Sequence, residues 1–258
     1  LVTTKRAKNK EFHLSYNGEY GINTPTAKPK FANAVQWMSG LNELAFNDGA
    51  SSLHSLYSED VINNYAQLRA EDPDRYADTD FMDLGLKSST HHQRHSLSLS
   101  GGTEKLKTNF SLNYYNSEAL IQTKDYERFN IRTNNNWIHA NVDLNLLYSN
   151  ANEPHGSIFT LMERAPIYNA YWSDGRFADG KDGDNPIAEH QLGGSMKKQN
   201  YSVGGKLQLD ITPIEGLTLT AIVAPKYSFY KGKDHRKRFP ELAMLQLVSV
   251  KVVTTTIA

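Results

Sequence analysis

The chain has 258 residues with 28 basic and 28 acidic side chains, so its formal net charge is zero and we expect no nucleic-acid partner. It contains no cysteine, which excludes disulfide bonds, thiolate metal sites and cysteine nucleophiles. No stretch approaches the roughly 18 consecutive apolar residues of a membrane-spanning helix, so a helical membrane protein is excluded.

The first predicted elements are strands. The chain opens inside an apparent strand at Leu1 with no initiator Met, so we expect it to be a piece of a longer protein. The next window alternates with period two, as a strand with two different faces does. Its two faces carry Phe12, Leu14, Tyr16 and Tyr20 on one side and His13, Ser15, Asn17 and Glu19 on the other.

A long connection at about 22–90 follows, and it has helical segments of its own. Residues 33–47 carry apolar side chains at near-helical spacing and end at a stop signal, Asn47-Asp48-Gly49. Residues 59–70 predict a second helix, with Ser58 as its N-cap and Pro73 beyond its end. A loop that contains helices is more often a packed functional element than a tether.

Six further windows predict strands: 91–101, 106–114, 126–136, 141–148, 200–211 and 216–230. Counted from the first strand, the links after strands 2, 4 and 6 are short, whereas those after strands 1, 3 and 5 are long and include 22–90 and 151–199. Short turns on one rim and long loops on the other are typical of an outer-membrane barrel. The windows also approach the ~9–11 residues that a tilted strand needs to cross a bilayer.

The fold-class prediction is therefore all-β. We expect about seven or eight strands of a large antiparallel transmembrane β-barrel, with helix-containing extracellular loops. Aromatic residues near strand ends suit interfacial girdles. Alternation alone does not separate this fold from a soluble β-sandwich, in which the same aromatic residues would cover a sheet.

Several segments resemble the SusC/RagA family of TonB-dependent outer-membrane transporters of the Bacteroidetes type. The segment His95-Ser96-Leu97-Ser98-Leu99-Ser100-Gly101-Gly102-Thr103-Glu104-Lys105 is similar to the family's strand–turn motif. Other matching segments are Leu1-Val2-Thr3-Thr4-Lys5-Arg6, Asp78-Thr79-Asp80-Phe81-Met82-Asp83, Asp125-Tyr126-Glu127-Arg128-Phe129-Asn130-Ile131-Arg132, Asp184-Asn185-Pro186-Ile187-Ala188 and Pro213-Ile214-Glu215-Gly216-Leu217-Thr218-Leu219. Ala7 and Phe81 stand where many members have Gly and Trp. The likeness runs in order through about residue 239, beyond which Leu245 and Leu247 could begin another strand.

The resemblance implies a domain division and a set of partners. Residues 1–8 would be the last strand of a plug domain, and 9–258 the N-terminal part of the transmembrane barrel. The implied activity is TonB-dependent import of a glycan or peptide across the cell outer membrane, without a cofactor and without enzymatic chemistry. The implied partners are TonB, contacted through an N-terminal part that this chain lacks, a SusD-like lipoprotein, the substrate and outer-membrane lipid.

Three polar segments are candidate sites. The tract 91–95 contains three histidines, but His92 faces away from His91 and His95 on a strand, so no metal site is predicted. The segment 179–185 lacks the register of a calcium loop and fits an acidic turn before a helix start at Asn185-Pro186. The basic run 231–238 could meet anionic lipopolysaccharide or an acidic ligand, or be a solvated loop.

No catalytic motif is present, so we predict no catalytic residue and no metal ligand. Selectivity is expected in the long loops, where four aromatic residues could stack against sugars: Trp37, Tyr168, Tyr171 and Trp172. Packing inside the loops is the alternative role for these side chains. The alternative function is a soluble or surface β-sandwich module that binds carbohydrate or another ligand. A barrel enzyme is a further alternative, for which no nucleophile or acid–base set is visible.

Overall fold

The computed structural model describes residues 11–238. The predicted plug strand at 1–8 and the segment after residue 239 lie outside the described residues. None of the helices in 11–238 is both long and apolar enough to cross a membrane.

The strands form one antiparallel sheet in which sequence neighbours pair, as in a meander, except that the last strand pairs with the strand two before it. Their bounds are β1 His13–Asn23, β2 Thr90–Gly102, β3 Leu106–Glu118, β4 Asp125–Trp137, β5 Ala140–Pro154, β6 Gly194–Ile214, β7 Leu217–Val223 and β8 Lys226–Arg236. The predicted antiparallel sheet of seven or eight strands is confirmed. Over the described residues the sheet is open, because β1 pairs only with β2 while β7 and β8 both pair with β6.

β7 and β8 form one continuous ribbon along β6. Leu207 pairs with Val223 and Gly204 pairs with Lys226, so the register does not change between the two strands. The interruption lies at Pro225, which has no N–H to donate to the ladder. Its carbonyl still accepts a hydrogen bond of 2.9 Å from the Gly205 N–H. The predicted window 216–230 is therefore a single crossing that continues to Arg236.

The two faces of the sheet differ in chemistry, as the alternation predicts. One face, here called the apolar face, is lined by large hydrophobic side chains that are not covered. Leu14 is 69% exposed, Val203 is 50% exposed and Leu144 is 49% exposed. The opposite face, here called the polar face, carries Ser, Asn and charged side chains. All described strands belong to one sheet, so no second sheet packs on the apolar face.

One register level of the apolar face is a row of rings from β2 to β8. The aromatic row consists of His95, Tyr114, Phe129, Tyr148, Tyr201 and Phe229, each the register partner of the next. Neighbouring rings lie between 4.6 Å and 6.3 Å apart, as the pairs Tyr114–Phe129 and Phe129–Tyr148 show. Such distances are those of favourable aromatic pairs. The ring contacts therefore continue across every strand pair of the row.

The connections at one rim are short, while those at the other rim contain all the described helices. The helices are α1 Ala34–Asn47, α2 Glu59–Asn63, α3 Tyr65–Glu71, α4 Phe81–Gly85, α5 Ile158–Glu163 and α6 Pro186–Leu192. The prediction of long loops with their own helices is confirmed. We call the residues 24–89, 119–124 and 155–193 of this rim the loop assembly.

The helix predicted at 59–70 is interrupted. Ser58 is the N-cap of α2, as predicted, and its hydroxyl accepts from the Val61 N–H at 3.4 Å. At Asn64 the side-chain amide donates to the Asp60 carbonyl at 3.0 Å and to the Asp60 carboxylate at 2.9 Å. This local hydrogen bonding competes with helix continuation, because Asn satisfies backbone groups in non-helical conformations. α2 therefore ends and α3 begins on either side of Asn64.

Candidate functional site

The loop assembly is built from three connections that bond to one another. The Thr79 N–H donates to the Pro166 carbonyl at 2.9 Å, which joins the first and third connections. Asp74 strengthens this link, because its carboxylate accepts from the Ser173 N–H at 2.7 Å and from the Ser173 hydroxyl at 2.8 Å. The shorter connection joins through Thr123, whose hydroxyl donates to the His190 carbonyl at 3.2 Å. The three loops form one packed unit.

Two small hydrophobic cores hold this unit together. The first contains Phe81, Met82, Leu161, Ala170 and Ile187, which come from α4, α5, α6 and the segment between them. The second contains Ala34, Met38 and Tyr65, with Ile167 from the third connection packed against it. Both cores therefore take side chains from both long loops, and packing of the loops against each other completes each core.

Two buried asparagine side chains form hydrogen bonds between irregular backbone segments and the helices. Asn42 on α1 accepts from the Tyr57 N–H at 2.9 Å and donates to the Tyr57 carbonyl at 2.7 Å. Asn185 is the N-cap of α6, where its side chain accepts from the Ile187 and Ala188 N–H groups. The Asn185 amide also donates to the carbonyls of Ala170 at 2.8 Å and Ala178 at 2.7 Å. The predicted helix start at Asn185-Pro186 is confirmed.

Burial perturbs two titrating groups in the loop assembly. Tyr65 donates to the Ala77 carbonyl at 2.6 Å, and burial, with a smaller contribution from the nearby Asp78 carboxylate, raises the pKa of its hydroxyl to about 12. Burial lowers the pKa of the His190 imidazole, although Nε2 lies 3.2 Å from the Ser157 carbonyl. Both groups are therefore uncharged at neutral pH and serve packing.

A pocket of about 360 Å³ opens in the loop assembly beside Trp37. We call it the Trp37 pocket. Its lining is a mixture of aromatic, apolar and charged side chains: Phe31, Ala32, Asn33, Trp37, Asp78, Thr79, Asp80, Phe81, Met82, Leu161, Met162, Arg164 and Pro166. The volume lies near the lower end of the range of roughly 300 to 1,000 Å³ that is typical of small-molecule pockets.

The charged groups of the pocket already have protein partners. Asp78 accepts from the Ala34 N–H at 2.8 Å and pairs with Arg69 at 3.6 Å. Asp80 is the N-cap of α4 and accepts from the Asp83 N–H at 2.9 Å. Arg164 forms an ion pair with Asp184, while its Nε is buried without a hydrogen-bond partner among the described residues. The structural roles of these carboxylates leave Phe31, Trp37 and the Arg164 Nε among the lining groups open to a ligand.

The four aromatic residues predicted to bind ligand do not share one site. Trp37 lines the pocket, but Tyr168, Tyr171 and Trp172 do not. Tyr168 and Tyr171 pack against the core around Phe81, and Tyr171 accepts a hydrogen bond of 3.0 Å from the Gln191 amide. Trp172 begins a tight turn in which the Gly175 N–H donates to its carbonyl at 2.9 Å. Their ligand-binding role stays a prediction.

The sequence pattern does not mark Arg164 as a residue of this region. Arg164 stands in no chemical motif and reaches the pocket only because the two long loops pack together, whereas Thr79 belongs to the family-like segment 78–83 of the same loop as Trp37. The family-like segment 78–83 was the one available signal, since residues from it line the pocket and begin α4.

The polar face of the sheet offers a second surface, dominated by amide side chains. The Asn130 amide donates to the Asn145 side chain at 2.9 Å, and the Asn136 amide donates to the Asn134 side chain at 2.6 Å. Arg94 lies 5.5 Å over the Tyr115 ring on the same face. A face with this composition suits water, another polar protein surface or a hydroxyl-rich or amide-rich solute.

No group of three metal-ligating side chains occurs within residues 11–238. His95 instead contacts the Tyr16 hydroxyl through Nδ1 at 2.7 Å and stacks on the Tyr16 ring. His92 lies on the opposite face, 3.3 Å from Glu19. Asp184, from the acidic segment 179–185, pairs with Arg164. These contacts give His92, His95 and Asp184 structural partners.

A long antiparallel meander with one bare apolar face, one polar face, short turns on one rim and packed loops on the other defines a segment of an outer-membrane-type β-barrel. Comparison with known proteins supports this class of protein. The chain is 26% identical over 175 residues to the TonB-dependent receptor P26 of Formosa agariphila. The matched region covers 64% of this chain and 17% of that receptor. No protein-family model matches the chain.

Solved structures of the RagAB peptide transporter share the fold. The match has a TM-score of 0.62, with 20% sequence identity, and covers 92% of this chain and 30% of the solved chain. RagAB peptide importer structures in the closed-closed and open-open states match with TM-scores of 0.61 and 0.57. The chain is therefore SusC/RagA-like in fold, is similar in sequence to a TonB-dependent receptor, and spans less than a third of the length of each of these proteins.

Proposed function

We propose that this chain is part of a TonB-dependent transporter that imports a nutrient, a glycan or a peptide, across the outer membrane. The observation that carries the proposal is the bare apolar face beside a hydrogen-bonded polar face. In a soluble sandwich the apolar face would be covered by a second sheet. In a barrel in the outer membrane, lipid covers it and the polar face lines the lumen.

The relatives support the transport class over an enzyme or a free-standing binding module. One is named as a TonB-dependent receptor and the others as a peptide importer or transporter. Import through such a barrel would draw energy from TonB. By analogy with the two-component RagAB assembly, we include a SusD-like lipoprotein as the partner at the loop rim.

The loop assembly is proposed as the first contact of the substrate. In this scheme, the substrate binds at the Trp37 pocket and neighbouring loop surfaces before it passes along the amide-rich polar face. Tyr168, Tyr171 and Trp172 are retained as candidate contacts. The rings of Tyr168 and Tyr171, however, are partly used in packing the loop assembly.

Membrane residence tests the proposal first. The full-length protein that contains this chain should stay with the outer membrane through a carbonate wash and change its gel migration after heating, because a folded barrel resists detergent until it is heated. As a matched control, Leu146→Asp on the apolar face should reduce assembly, whereas Leu147→Asp on the polar face of the same strand should be tolerated. Carbonate extraction of the unaltered protein without a heat-dependent shift would contradict the barrel.

Ligand contact is tested by two aromatic substitutions. Trp37→Leu should lower uptake and retention of the transported nutrient about fivefold, because ring stacking contributes on the order of 1 kcal/mol. Trp172→Leu alters an aromatic residue of the same loop assembly outside the pocket. A pocket-centred site predicts little effect of Trp172→Leu. Equal losses in both variants would favour a wider binding surface that includes the other predicted aromatic residues.

A further inference from the structure

Three lysines gather on the apolar face, next to the aromatic row. Lys197 on β6 and Lys233 on β8 are direct register partners, and Gln199 is the partner of Lys231 in the neighbouring pair. Residues two apart in a strand point to the same face, so Lys197, Lys231 and Lys233 lie on the side that carries Tyr201 and Phe229. We call these three residues the lysine patch.

The local arrangement of charge in the patch is unfavourable without a partner. Side chains that are directly opposite in an antiparallel pair have Cβ atoms about 5 Å apart, and like charges at that spacing repel. Within the described part of the chain, none of the three lysines forms an ion pair. Lys198, one residue away and on the polar face, reaches Glu153 at 2.5 Å. From β5, the patch is faced by Asn150 and Asn152, which are uncharged.

The position of the patch along the strands indicates what could neutralise it. Lys231 is two residues beyond Phe229 of the aromatic row, or about 7 Å along the strand. Each headgroup layer of a bilayer is about 5 to 8 Å thick, and aromatic rings mark its boundary with the hydrocarbon. Lysine stems can extend over such a boundary and place their ammonium groups among the headgroups.

We infer that the lysine patch is a binding site for the phosphate groups of an anionic membrane lipid in the leaflet on the loop side. The inference rests on the proposed residence of the sheet in the outer membrane. It goes beyond that residence because it assigns a lipid chemistry to particular residues. Phosphate oxygens neutralise the Lys197–Lys233 repulsion, while the acyl chains of the same lipid cover the aromatic row and the apolar side chains below it.

The test uses the full-length protein in nanodiscs that contain bis-phosphorylated lipid A, with enzymatically dephosphorylated lipid A as the matched lipid. The triple variant Lys197→Gln, Lys231→Gln and Lys233→Gln is compared with Lys206→Gln and Lys226→Gln, which alter the polar face of the same two strands. The triple variant should bind phosphorylated lipid A about 100-fold more weakly, because each lysine near an anionic surface contributes several-fold in affinity. The polar-face variants should stay within about twofold.

A single substitution gives a second readout that a purely structural role would not produce. Lys233→Gln should raise the unfolding temperature in nanodiscs made only of zwitterionic lipid, because it removes a like-charge pair. The same substitution should lower the unfolding temperature when phosphorylated lipid A is present. A change of the same sign in both lipids would overturn the inference.

Three further binding results would overturn the proposed lipid site. Equal binding of phosphorylated and dephosphorylated lipid A, or unaltered binding by the triple variant, would overturn the lipid site. Displacement of lipid A by an equal concentration of inorganic phosphate would assign the patch to a free anion and likewise overturn it. Heat-modifiable migration of each variant is measured in parallel. Loss of that migration in the unaltered protein would count against the proposed function, whereas its retention with unchanged lipid binding would count only against the lysine patch.

Discussion

The rings of Tyr148 and Tyr201 lie 5.0 Å apart across β5 and β6, on residues that are direct register partners. Tyr201 also lies 6.1 Å from Phe229, so it joins both sides of the aromatic row. Tyr201 has two ring partners and is 40% exposed, so its side chain contributes to the pairing of three strands at once. The aromatic row therefore stabilises the strand register at the level of the sheet that we place at the membrane boundary.

Replacing Tyr201 should weaken the sheet. Tyr201→Ala removes two aromatic pairs and should lower the free energy of unfolding by about 1 to 3 kcal/mol. Tyr230→Ala is the control, because Tyr230 is similarly exposed, at 44% against 40%, but lies on the polar face. Its cost should be about 0.5 kcal/mol. Heat-modifiable migration against temperature measures both, and equal shifts would contradict a special role of the aromatic row.

Asn185 should not tolerate a carboxylate. In Asn185→Asp the N-cap acceptor is kept, but the amide that donates to the Ala170 and Ala178 carbonyls is replaced by an oxygen. Leaving buried carbonyls unpaired beside a charge should destabilise the 170–185 segment by about 3 kcal/mol. Asn33→Asp is the matched control, because Asn33 is an exposed N-cap whose side chain accepts from the Gln36 N–H. Limited proteolysis of the loop assembly should cut the first variant early and leave the second unchanged.

The raised pKa of Tyr65 should make the loop assembly sensitive to strong alkali. The folded state holds the phenol proton more tightly than the unfolded state, so this contribution is complete below about pH 10 and is lost as pH rises toward about 12. Tyr65→Phe loses the bond to the Ala77 carbonyl but should remove this pH dependence. Tyrosinate absorbance of the unaltered protein minus that of the variant should show a group titrating near pH 12. Titration of that group near pH 10 would show that the hydroxyl is not buried in the folded protein.

The lowered pKa of His190 predicts the opposite pH dependence. The unfolded state binds the proton more readily, so the contribution of His190 is complete above about pH 6.5 and declines as pH falls through the lowered folded-state pKa. Amide exchange in α6, corrected for intrinsic rates, should therefore increase in mild acid. His190→Gln should flatten that dependence. An unchanged acid response in this variant would assign it to other groups.

Much of the sheet could be predicted from sequence, because the pattern that specifies it is local. Phe12, Leu14 and Tyr16 alternate with polar residues, and alternation determines which side chains share a face once the chain is extended. The short turns between long windows then predicted which strands pair. The helix starts at Ser58 and Asn185 were also readable, because capping depends on a few neighbouring residues.

Tertiary structure determines the pocket and the side-chain rows that are formed by segments distant in the chain. Only the packing of the two long loops brings Arg164 to the pocket that contains Trp37 and packs Tyr171 against a core. Only the strand register sets Lys197 opposite Lys233 and lines the aromatic rings up in one row. The physical reason is that strand alternation and helix capping depend on residues within a few positions of one another. Register and loop packing instead depend on contacts between segments far apart in the chain, whose free energy is shared among many side chains.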